Sequence, residues 1–404
     1  MHTSPLRRAG MLVLAVGATV GLAACSGQGS GTAAPGPADS APASMDETGT
    51  RVALSYPGGI VVLDGETLDV VGDVDSEEFT RLNSAGDGRH IMVTTSEGFQ
   101  VLDAGTTSDE PVLTDLVFEA DKAGHVVTHG GKTVLYADGT SDSTIFDTDA
   151  LLTSHGDMPE TEVVPGVEAH HGVSIVLEDG SFVTTVGNAD GRTGIVVRDP
   201  SGETIAENAD CLGVHGEGAA QDEVVVFGCD DGALIFDDGE ITKVDAEDQP
   251  YGRMGNIFVS ETSPLVLGDY KDDRDAEGYL LHSVALIDTA AKTHTVVDMP
   301  EGAEYTFRDL ARGPEDLGYI IASDGAIHVF DLEQGAFTDA FPVIDAWEGP
   351  ADWQDAHPAI KVSGDIAYVT EPGKNMIHAV DLTTGETVVS ATLPVTPNEM
   401  AVTH

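Results

Sequence analysis

Histidine stands just ahead of an alternating apolar run at four places in the chain. Three of these places hold a single residue and the fourth holds an adjacent pair; the residues are His125, His170, His171, His215 and His357. Neutral imidazole suits zinc, copper or nickel, whereas calcium and magnesium prefer oxygen ligands. Because the sequence has no Met-rich tract, a copper(I) site is disfavoured. If the imidazoles converge, they indicate Zn2+, although each histidine taken alone could equally fix a loop by hydrogen bonding.

Two more features could add to such a site. His155 and Asp157 lie in a long connection, "SHGDMPE", which could act as a mobile flap and bring a further metal ligand. Glu217 follows one of the single histidines by two residues, and it could accept the N–H of a coordinating ring. The sequence does not decide which of His170 and His171 faces the ion, because neighbouring side chains of an extended segment point to opposite sides.

The elements that must position these residues are short strands of a repeated unit. A stretch of three or four apolar or β-favouring residues that ends in aspartate recurs eight times, at Asp64, Asp103, Asp147, Asp199, Asp237, Asp288, Asp331 and Asp381. Successive copies lie roughly 38 to 52 residues apart, a period typical of a propeller blade with four antiparallel strands. A second β-rich stretch precedes each copy, and turns such as Asp-Gly separate the two. No segment keeps a helical apolar period. We therefore predict an all-β fold, a single β-propeller of eight blades, or of seven if one copy is an insertion.

The two ends of the repeat array are complementary. The array begins on a middle strand, "RVALSY", and the chain ends with "PNEMAVTH", which supplies the innermost strand that the first blade lacks. Pairing of these strands would close the ring and remove the exposed sheet edges. In a closed ring the inner strands surround one axis. Histidines at the entrances of the third, fourth, fifth and eighth blades can then converge at one mouth of a central channel.

The N-terminal residues predict export. Residues 1–24 have a basic start and a short apolar stretch, as in a signal peptide. Leu22-Ala23-Ala24-Cys25 resembles a bacterial lipobox, which implies a lipid on Cys25 and anchoring to the outer face of the cytoplasmic membrane. The alternative is an ordinary signal peptide with an incidental cysteine. Residues 25–48 are mostly Gly, Ser, Ala and Pro and form a flexible linker, so we assign residues 49–404 to the propeller.

Charge excludes several classes of partner. The chain has 70 acidic and 18 basic residues and a formal net charge of −52. Such a protein would repel nucleic acid and anionic lipid surfaces, so membrane contact is expected through the lipid anchor only. The remaining cysteines, Cys211 and Cys229, lie in an exported domain on two sides of a predicted hairpin, which favours a disulfide over a pair of metal thiolates.

Several separated motifs resemble one known family. "GHVVTHGGKTVLYADG", "HHGVSIVLEDG", "CLGVHGEG" and "HPAIKVSGDIAYVTEP" are similar to the AztD zinc metallochaperones, exported β-propellers that work with a zinc ABC importer; the resemblance extends from about Arg51 to the end. It implies a monomer that is not an enzyme, binds zinc and passes it to the solute-binding protein of the importer. By motif, the zinc positions are His125, His170, His171, His215 and His357, and Cys211–Cys229 is a structural disulfide. The chain departs from the family in having no His-rich run near its mature N-terminus, which makes a second, loose zinc site there doubtful.

Two other classes of function compete with this one. Zinc with an open coordination position could activate water in a hydrolase or lyase, although the chain has no G-x-S-x-G nucleophile motif. A propeller could also serve as a protein-binding scaffold in which metal is incidental. Turnover that is lost in a His215→Ala variant would indicate the enzyme, and partner binding that survives loss of all the histidines would indicate the scaffold.

Overall fold

The computed structural model describes residues 49–403, and all structural statements refer to these residues. The predicted signal peptide, Cys25 with its lipid, the linker up to residue 48 and His404 lie outside them. Among residues 49–403, no helix is both long and apolar enough to cross a bilayer.

The strands form eight antiparallel sheets of four strands each, which confirms the prediction of eight blades. Blade 1 contains β1 (Arg51–Tyr56), β2 (Gly59–Asp64) and β3 (Val70–Asp75), and blade 2 contains β4 (Leu82–Ser84), β5 (His90–Thr95), β6 (Gly98–Asp103) and β7 (Val112–Glu119). Blade 3 contains β8 (Ala123–His129), β9 (Lys132–Ala137), β10 (Asp142–Asp147) and β11 (Glu162–Val164), and blade 4 contains β12 (Ser174–Val176), β13 (Phe182–Asn188), β14 (Gly191–Arg198) and β15 (Thr204–Asn208).

The second half of the ring repeats this pattern. Blade 5 contains β16 (His215–Ala219), β17 (Val225–Cys229), β18 (Gly232–Asp237) and β19 (Glu240–Asp245), and blade 6 contains β20 (Ile257–Ser260), β21 (Ser263–Tyr270), β22 (Ser283–Asp288) and β23 (Thr293–Asp298). Blade 7 contains β24 (Leu310–Arg312), β25 (Gly318–Ile321), β26 (Ala326–Asp331) and β27 (Ala336–Pro342), and blade 8 contains β28 (Ile360–Ser363), β29 (Ile366–Glu371), β30 (Met376–Asp381) and β31 (Glu386–Thr392).

Helix is a minor component, as the sequence predicts. The one α-helix within the described range is α1 (Ala150–Thr153), which precedes the long connection that contains His155. Short 3-10 turns occur at Gln221–Glu223, Pro314–Asp316 and Pro372–Lys374.

The chain ends close the ring as predicted. The last strand, β32 (Met400–Val402), is the innermost strand of blade 1 and pairs antiparallel with β1, where Val402 lies opposite Val52 and Met400 opposite Leu54. The ring therefore has no open inner edge between blade 8 and blade 1.

The repeated aspartate has a local structural role. In six of the eight copies its carboxylate accepts backbone N–H groups from the following turn; these are Asp64, Asp103, Asp199, Asp288, Asp331 and Asp381. Aspartate is favoured at such positions because its short side chain can close the turn in this way. At Asp199 the hydrogen bond from the Ser201 hydroxyl, followed by that from the Glu203 N–H, lowers the pKa of the carboxyl.

The apolar core lies between the blades. Each of the clusters of buried side chains joins consecutive blades; one unites blades 8 and 1, for example, through Leu54, Val61, Tyr368 and Ile377. The middle strands are buried on both faces, whereas outer strands such as β3 and β31 expose alternate residues. This packing fixes the ring of inner strands β32, β4, β8, β12, β16, β20, β24 and β28 around the axis.

Candidate metal centre

Three of the predicted histidines form a compact cluster. His125, His171 and His215 come from the inner edges of blades 3, 4 and 5, and one ring nitrogen of each lies within 4.8 Å of the others. Their ring centroids form an equilateral triangle with sides of 5.1 Å. We call these three residues the histidine triad.

Two irregularities in the inner strands direct triad members toward each other. The register of β8 against β9 shifts between Ala123 and Val126, and that of β16 against β17 shifts between His215 and Glu217. A bulge of this kind re-aims a side chain. Gly216 makes the second bulge possible, since its φ is +64° and a Cβ there would lie 2.7 Å from the Gly255 carbonyl oxygen.

His171 enters the cluster from the loop before β12. The following residue, Gly172, packs so closely against Tyr136 and Thr185 that a Cβ would come within 2.6 Å of both. On the other side, Nδ1 of His171 lies 2.6 Å from the Asp138 carboxylate, in the turn between β9 and β10. This pair of contacts fixes both the backbone and the ring.

Hydrogen bonds determine which ring nitrogens face the centre. Nδ1 of His171 donates to Asp138, and Nδ1 of His215 donates to the Gly255 carbonyl. In neutral rings both Nε2 atoms must then present lone pairs, and these two atoms lie 3.0 Å apart. Nε2 of His125 is buried and has no hydrogen-bond partner. Lone pairs held at this distance repel each other unless a proton or a metal ion lies against them.

Burial favours the metal ion over the proton. Desolvation, followed by the neighbouring charges at His215 and Arg81, lowers the pKa of His125 well below its usual value. Desolvation likewise lowers the pKa of His215 to about 3, although the hydrogen bond to Gly255 acts in the opposite direction. Both rings therefore remain neutral, the form in which imidazole binds metal, across the physiological range.

Cations surround the triad. Arg192 and Arg253 lie near enough to His215 to contribute to its lowered pKa, as Arg81 does for His125. Arg253 is paired with Asp230, whereas Nη1 of Arg192 is buried without a partner. The 70 acidic residues of the protein attract cations in general. The arginines near the triad act in the opposite direction and weaken the local attraction for a metal ion.

The triad is accessible from one side. The side chain of His171 is 40% exposed and the Asp138 side chain 21%. His171 is therefore the most exposed of the three rings, since His125 and His215 are half-buried.

His170, the second member of the pair, lies outside the triad. Its Nε2 contacts the Tyr136 hydroxyl at 3.0 Å and the Thr185 hydroxyl at 3.1 Å, and its Nδ1 contacts Ser141. These contacts fix the loop ahead of β12. The structure thus selects His171 from the pair.

His357 also lies outside the triad. Its Nδ1 donates to the Asp355 carbonyl, its ring packs against Phe307, and its Nε2 is buried without a partner. Desolvation, followed by the charge of Arg308, lowers its pKa to about 4. The sequence pattern correctly predicted that this histidine lies at the entrance of the inner strand of blade 8. Blade 8 is across the ring from blade 4, however, so His357 does not converge with the triad.

The other predicted additions do not join the triad either. His155 lines a separate pocket with Arg89, His90 and Asp103, and neither it nor Asp157 belongs to the cluster. The ring N–H of His215 is taken by Gly255 and not by Glu217. Glu217 is half-buried, and desolvation raises its pKa to about 7.

The predicted disulfide is present. Cys211 and Cys229 are bonded, with Cα atoms 5.0 Å apart. The bridge ties the loop ahead of His215 to the end of β17 and so supports one member of the triad.

Sequence reasoning missed Asp138 and Gly255. Asp138 is the Asp of an Asp-Gly turn, a type that occurs throughout this chain as hairpin punctuation, and a backbone carbonyl carries no sequence signal. The one available signal is that an ordered imidazole ligand needs an acceptor for its second nitrogen.

Comparisons with known proteins bear on the fold and on the resemblance inferred from the motifs. No protein-family profile matches the chain. The zinc chaperone AztD of Citrobacter koseri is 25% identical over 344 residues, which make up 80% of this chain and 78% of the relative. The chain resembles AztD. This confirms the resemblance inferred from the motifs.

Solved structures confirm the fold. Apo AztD from Citrobacter koseri superposes with a TM-score of 0.73 at 21% identity, covering 88% of this chain and 98% of that one, and a second AztD crystal structure gives 0.72 with the same coverage. The dihydro-heme d1 dehydrogenase NirN, in complex with DHE, matches with a TM-score of 0.56 at 11% identity over 87% of this chain and 74% of its own. NirN shows that the fold also serves an enzyme, whereas the relative from Citrobacter koseri is named a chaperone.

Proposed function

We propose that the chain captures zinc with His125, His171 and His215 and passes it to the solute-binding protein of a zinc ABC importer. The observation that carries this proposal is the pair of facing Nε2 atoms, 3.0 Å apart, whose second nitrogens are both committed as donors. The name of the relative, a zinc chaperone, supports zinc as the cargo.

Capture follows from the order already present in the site. Zinc bound by histidine has Zn–N distances of about 2.0–2.1 Å and tetrahedral geometry. The triad nitrogens, within 4.8 Å of one another, need to move inward only slightly to reach such distances. Because two of the rings are already anchored through Nδ1, little rotational freedom is lost on binding.

The release of zinc follows from the absence of a fourth protein ligand in the triad. Three protein ligands leave one tetrahedral position open, and the surrounding arginines oppose the charge of the ion. An incoming ligand of the partner can occupy the open position, and the exposed His171 can then be replaced first. Zinc would pass between proteins by stepwise ligand exchange and would never leave as a hydrated ion.

Export and anchoring belong to the same proposal. A lipid on Cys25 would hold the propeller at the outer face of the cytoplasmic membrane, where the importer takes up its substrate. The linker of residues 25–48, rich in small residues, would let the propeller reach the solute-binding protein.

The adjacent histidines provide a matched test of the site. We expect wild-type protein purified without chelator to contain one equivalent of zinc, which His171→Ala loses and His170→Ala keeps. Elemental analysis and titration against a chromophoric zinc chelator measure both variants. Equal zinc content in the wild type and in His171→Ala would refute the site.

Direct transfer is tested by kinetics. Zinc-loaded protein is mixed with increasing apo solute-binding protein, and the rate of transfer is compared with the rate of zinc loss to excess chelator. We expect the transfer rate to rise with partner concentration and to exceed spontaneous dissociation. A transfer rate that equals dissociation at every partner concentration would contradict ligand exchange.

A further inference from the structure

The channel wall across from the triad carries a cluster of basic side chains. The inner layers of blades 7, 8 and 2 supply Arg308, Lys361 and Arg81, and Glu399 precedes β32 of blade 1. The corresponding strands β24, β28, β32 and β4 contact one another in sequence around the axis. These side chains are therefore neighbours although they come from distant parts of the chain.

Only part of this charge is paired. Arg308 lies 2.7 Å from the Glu399 carboxylate and donates to Asn398 at 2.6 Å. Among residues 49–403, by contrast, Arg81 and Lys361 form no ion pair and no side-chain hydrogen bond, and the Nε atoms of Arg81 and Arg308 are buried without a partner. Two carboxyl groups, those of Glu399 and Asp309, lie near these three cations, and desolvation raises the pKa of Asp309 well above its usual value.

This imbalance is unexpected in such an acidic protein. With 70 acidic and 18 basic residues in the sequence, most other basic side chains find a carboxylate, as Arg51, Arg89 and Lys243 do. Cations enclosed by protein and left without a counter-charge are costly. A bound anion would remove that cost.

The cluster faces an accessible space. The side chain of Lys361 is exposed, yet desolvation by the surrounding protein lowers the pKa of its ammonium group. An exposed ammonium group whose charge is nonetheless desolvated lies in a recess that is open to solvent. A small ion can therefore reach this group without any rearrangement of the blades.

We propose that Arg81, Arg308 and Lys361 form a binding site for a small oxyanion, a carboxylate or a phosphate, inside the channel. Guanidinium groups bind two oxygens of such an anion through parallel hydrogen bonds, and an ammonium adds a compact charge. The three cations outnumber the carboxyl groups of Glu399 and Asp309, which favours an anionic ligand.

The anion site should be coupled to the triad, an extension that rests on the proposed zinc function. Arg81 directly precedes β4 of blade 2, and His125 lies on β8 of the next blade; the charge of Arg81 lowers the pKa of that ring and so would also oppose a zinc ion there. An anion held on Arg81 would offset this repulsion and strengthen zinc binding. By linkage, zinc must then strengthen anion binding by the same factor.

The test uses two probes, inorganic phosphate and succinate, titrated calorimetrically into zinc-free protein at about 0.15 M ionic strength. We expect saturable binding of at least one probe, weakened more than about tenfold in Lys361→Gln. Lys132→Gln, which removes the same charge from a surface pair with Asp147, should bind like the wild type. Because Lys361 projects into open space, its variant should fold, and Arg81→Gln provides a second check.

The probes separate the two anion chemistries, since preference for phosphate or for succinate identifies the class. Absence of saturable binding by either probe, or equal binding in the wild type and in Lys361→Gln, would overturn the proposal. Coupling is measured as tighter binding of the effective probe to zinc-loaded than to zinc-free protein. If His171→Ala were to retain zinc, the triad would fail while Lys361-dependent anion binding could still stand, so the two proposals fail separately.

Discussion

The channel wall has two unlike halves built from the same layer of strands. Blades 3, 4 and 5 present three imidazoles whose free nitrogens converge. Blades 7, 8 and 2 present Arg308, Lys361 and Arg81, of which the last two form no ion pair within residues 49–403. The fold supplies equivalent positions in both halves. The difference teaches that the repeat decides where a side chain lies, while the charge around each position decides what it can bind.

His357 makes this contrast specific. It shares the sequence context of the triad, and its Nε2 is buried without a partner, as that of His125 is. Among the described residues, however, His357 belongs to no group of three converging metal ligands, and the charge of Arg308 lowers the pKa of its ring and would also oppose a metal ion. A histidine in the basic half is therefore not equivalent to one in the imidazole half.

The largest expected effect separates these two kinds of histidine. His215→Ala should weaken zinc binding by more than about a hundredfold, because even the hydrogen-bond partners of metal ligands cost about 10–100-fold. His357→Ala should stay within about twofold of the wild type. Competition with a zinc chelator measures both, and a comparable loss in the two variants would abolish the distinction between the halves.

The next effect concerns the carboxylate behind the triad. Asp138→Ala removes the acceptor that holds Nδ1 of His171 at 2.6 Å, and we expect zinc affinity to fall by about 10–100-fold. Asp324→Ala is the matched control, since Asp324 lies 2.9 Å from Nε2 of His328, away from the triad. Equal affinities in the two variants would show that Asp138 does not orient a ligand.

The titration of His357, in the basic half, should make the free energy of unfolding depend on pH. The pKa of His357 is about 4 in the folded protein and about 6.5 when unfolded. As pH falls, the unfolded chain takes up the proton first, so stability is complete above about pH 6.5 and is lost between about 6.5 and 4. At pH 5 the loss is about 2 kcal/mol.

Urea unfolding of zinc-free protein between pH 8 and 4 measures this slope. His357→Gln should flatten it by the contribution of one proton, whatever its effect on stability at pH 8. An unchanged slope in the variant would contradict the buried, neutral state of this ring.

The smallest expected effect concerns the arginines around the triad. Arg192→Gln removes a partly enclosed cation near His215 and should raise zinc affinity by about fivefold, corresponding to an electrostatic effect on the order of 1 kcal/mol. Arg198 lies on the same strand, but its charge does not contribute to the pKa shifts of His125 and His215. Arg198→Gln should therefore change zinc affinity little. A lower affinity in Arg192→Gln would mean that the arginine supports the site.

Much of the fold could be predicted because the repeat leaves a regular trace. The aspartate at the end of the third strand closes a turn, so it recurs in the sequence with the period of the blade. The closing strand could be recognised because blade 1 lacked an inner strand. Both features depend on local patterns that a single sequence displays.

The triad could be predicted only in part. The inner-strand position of the histidines follows from the repeat, but convergence depends on bulges at His125 and His215 and on the close packing of Gly172. Local spacing does not reveal such details. Nor does it reveal that the charge of Arg308 acts on His357, or that the ring of His170 is hydrogen-bonded to Ser141 and Tyr136.

The most direct test of the account is anomalous diffraction at the zinc edge from crystals of zinc-loaded protein. The account predicts one strong peak within about 2.0–2.1 Å of Nε2 of His125, His171 and His215, with Nδ1 of His171 still on Asp138. A peak at His357 or His170, or the absence of a peak from the channel mouth, would contradict it.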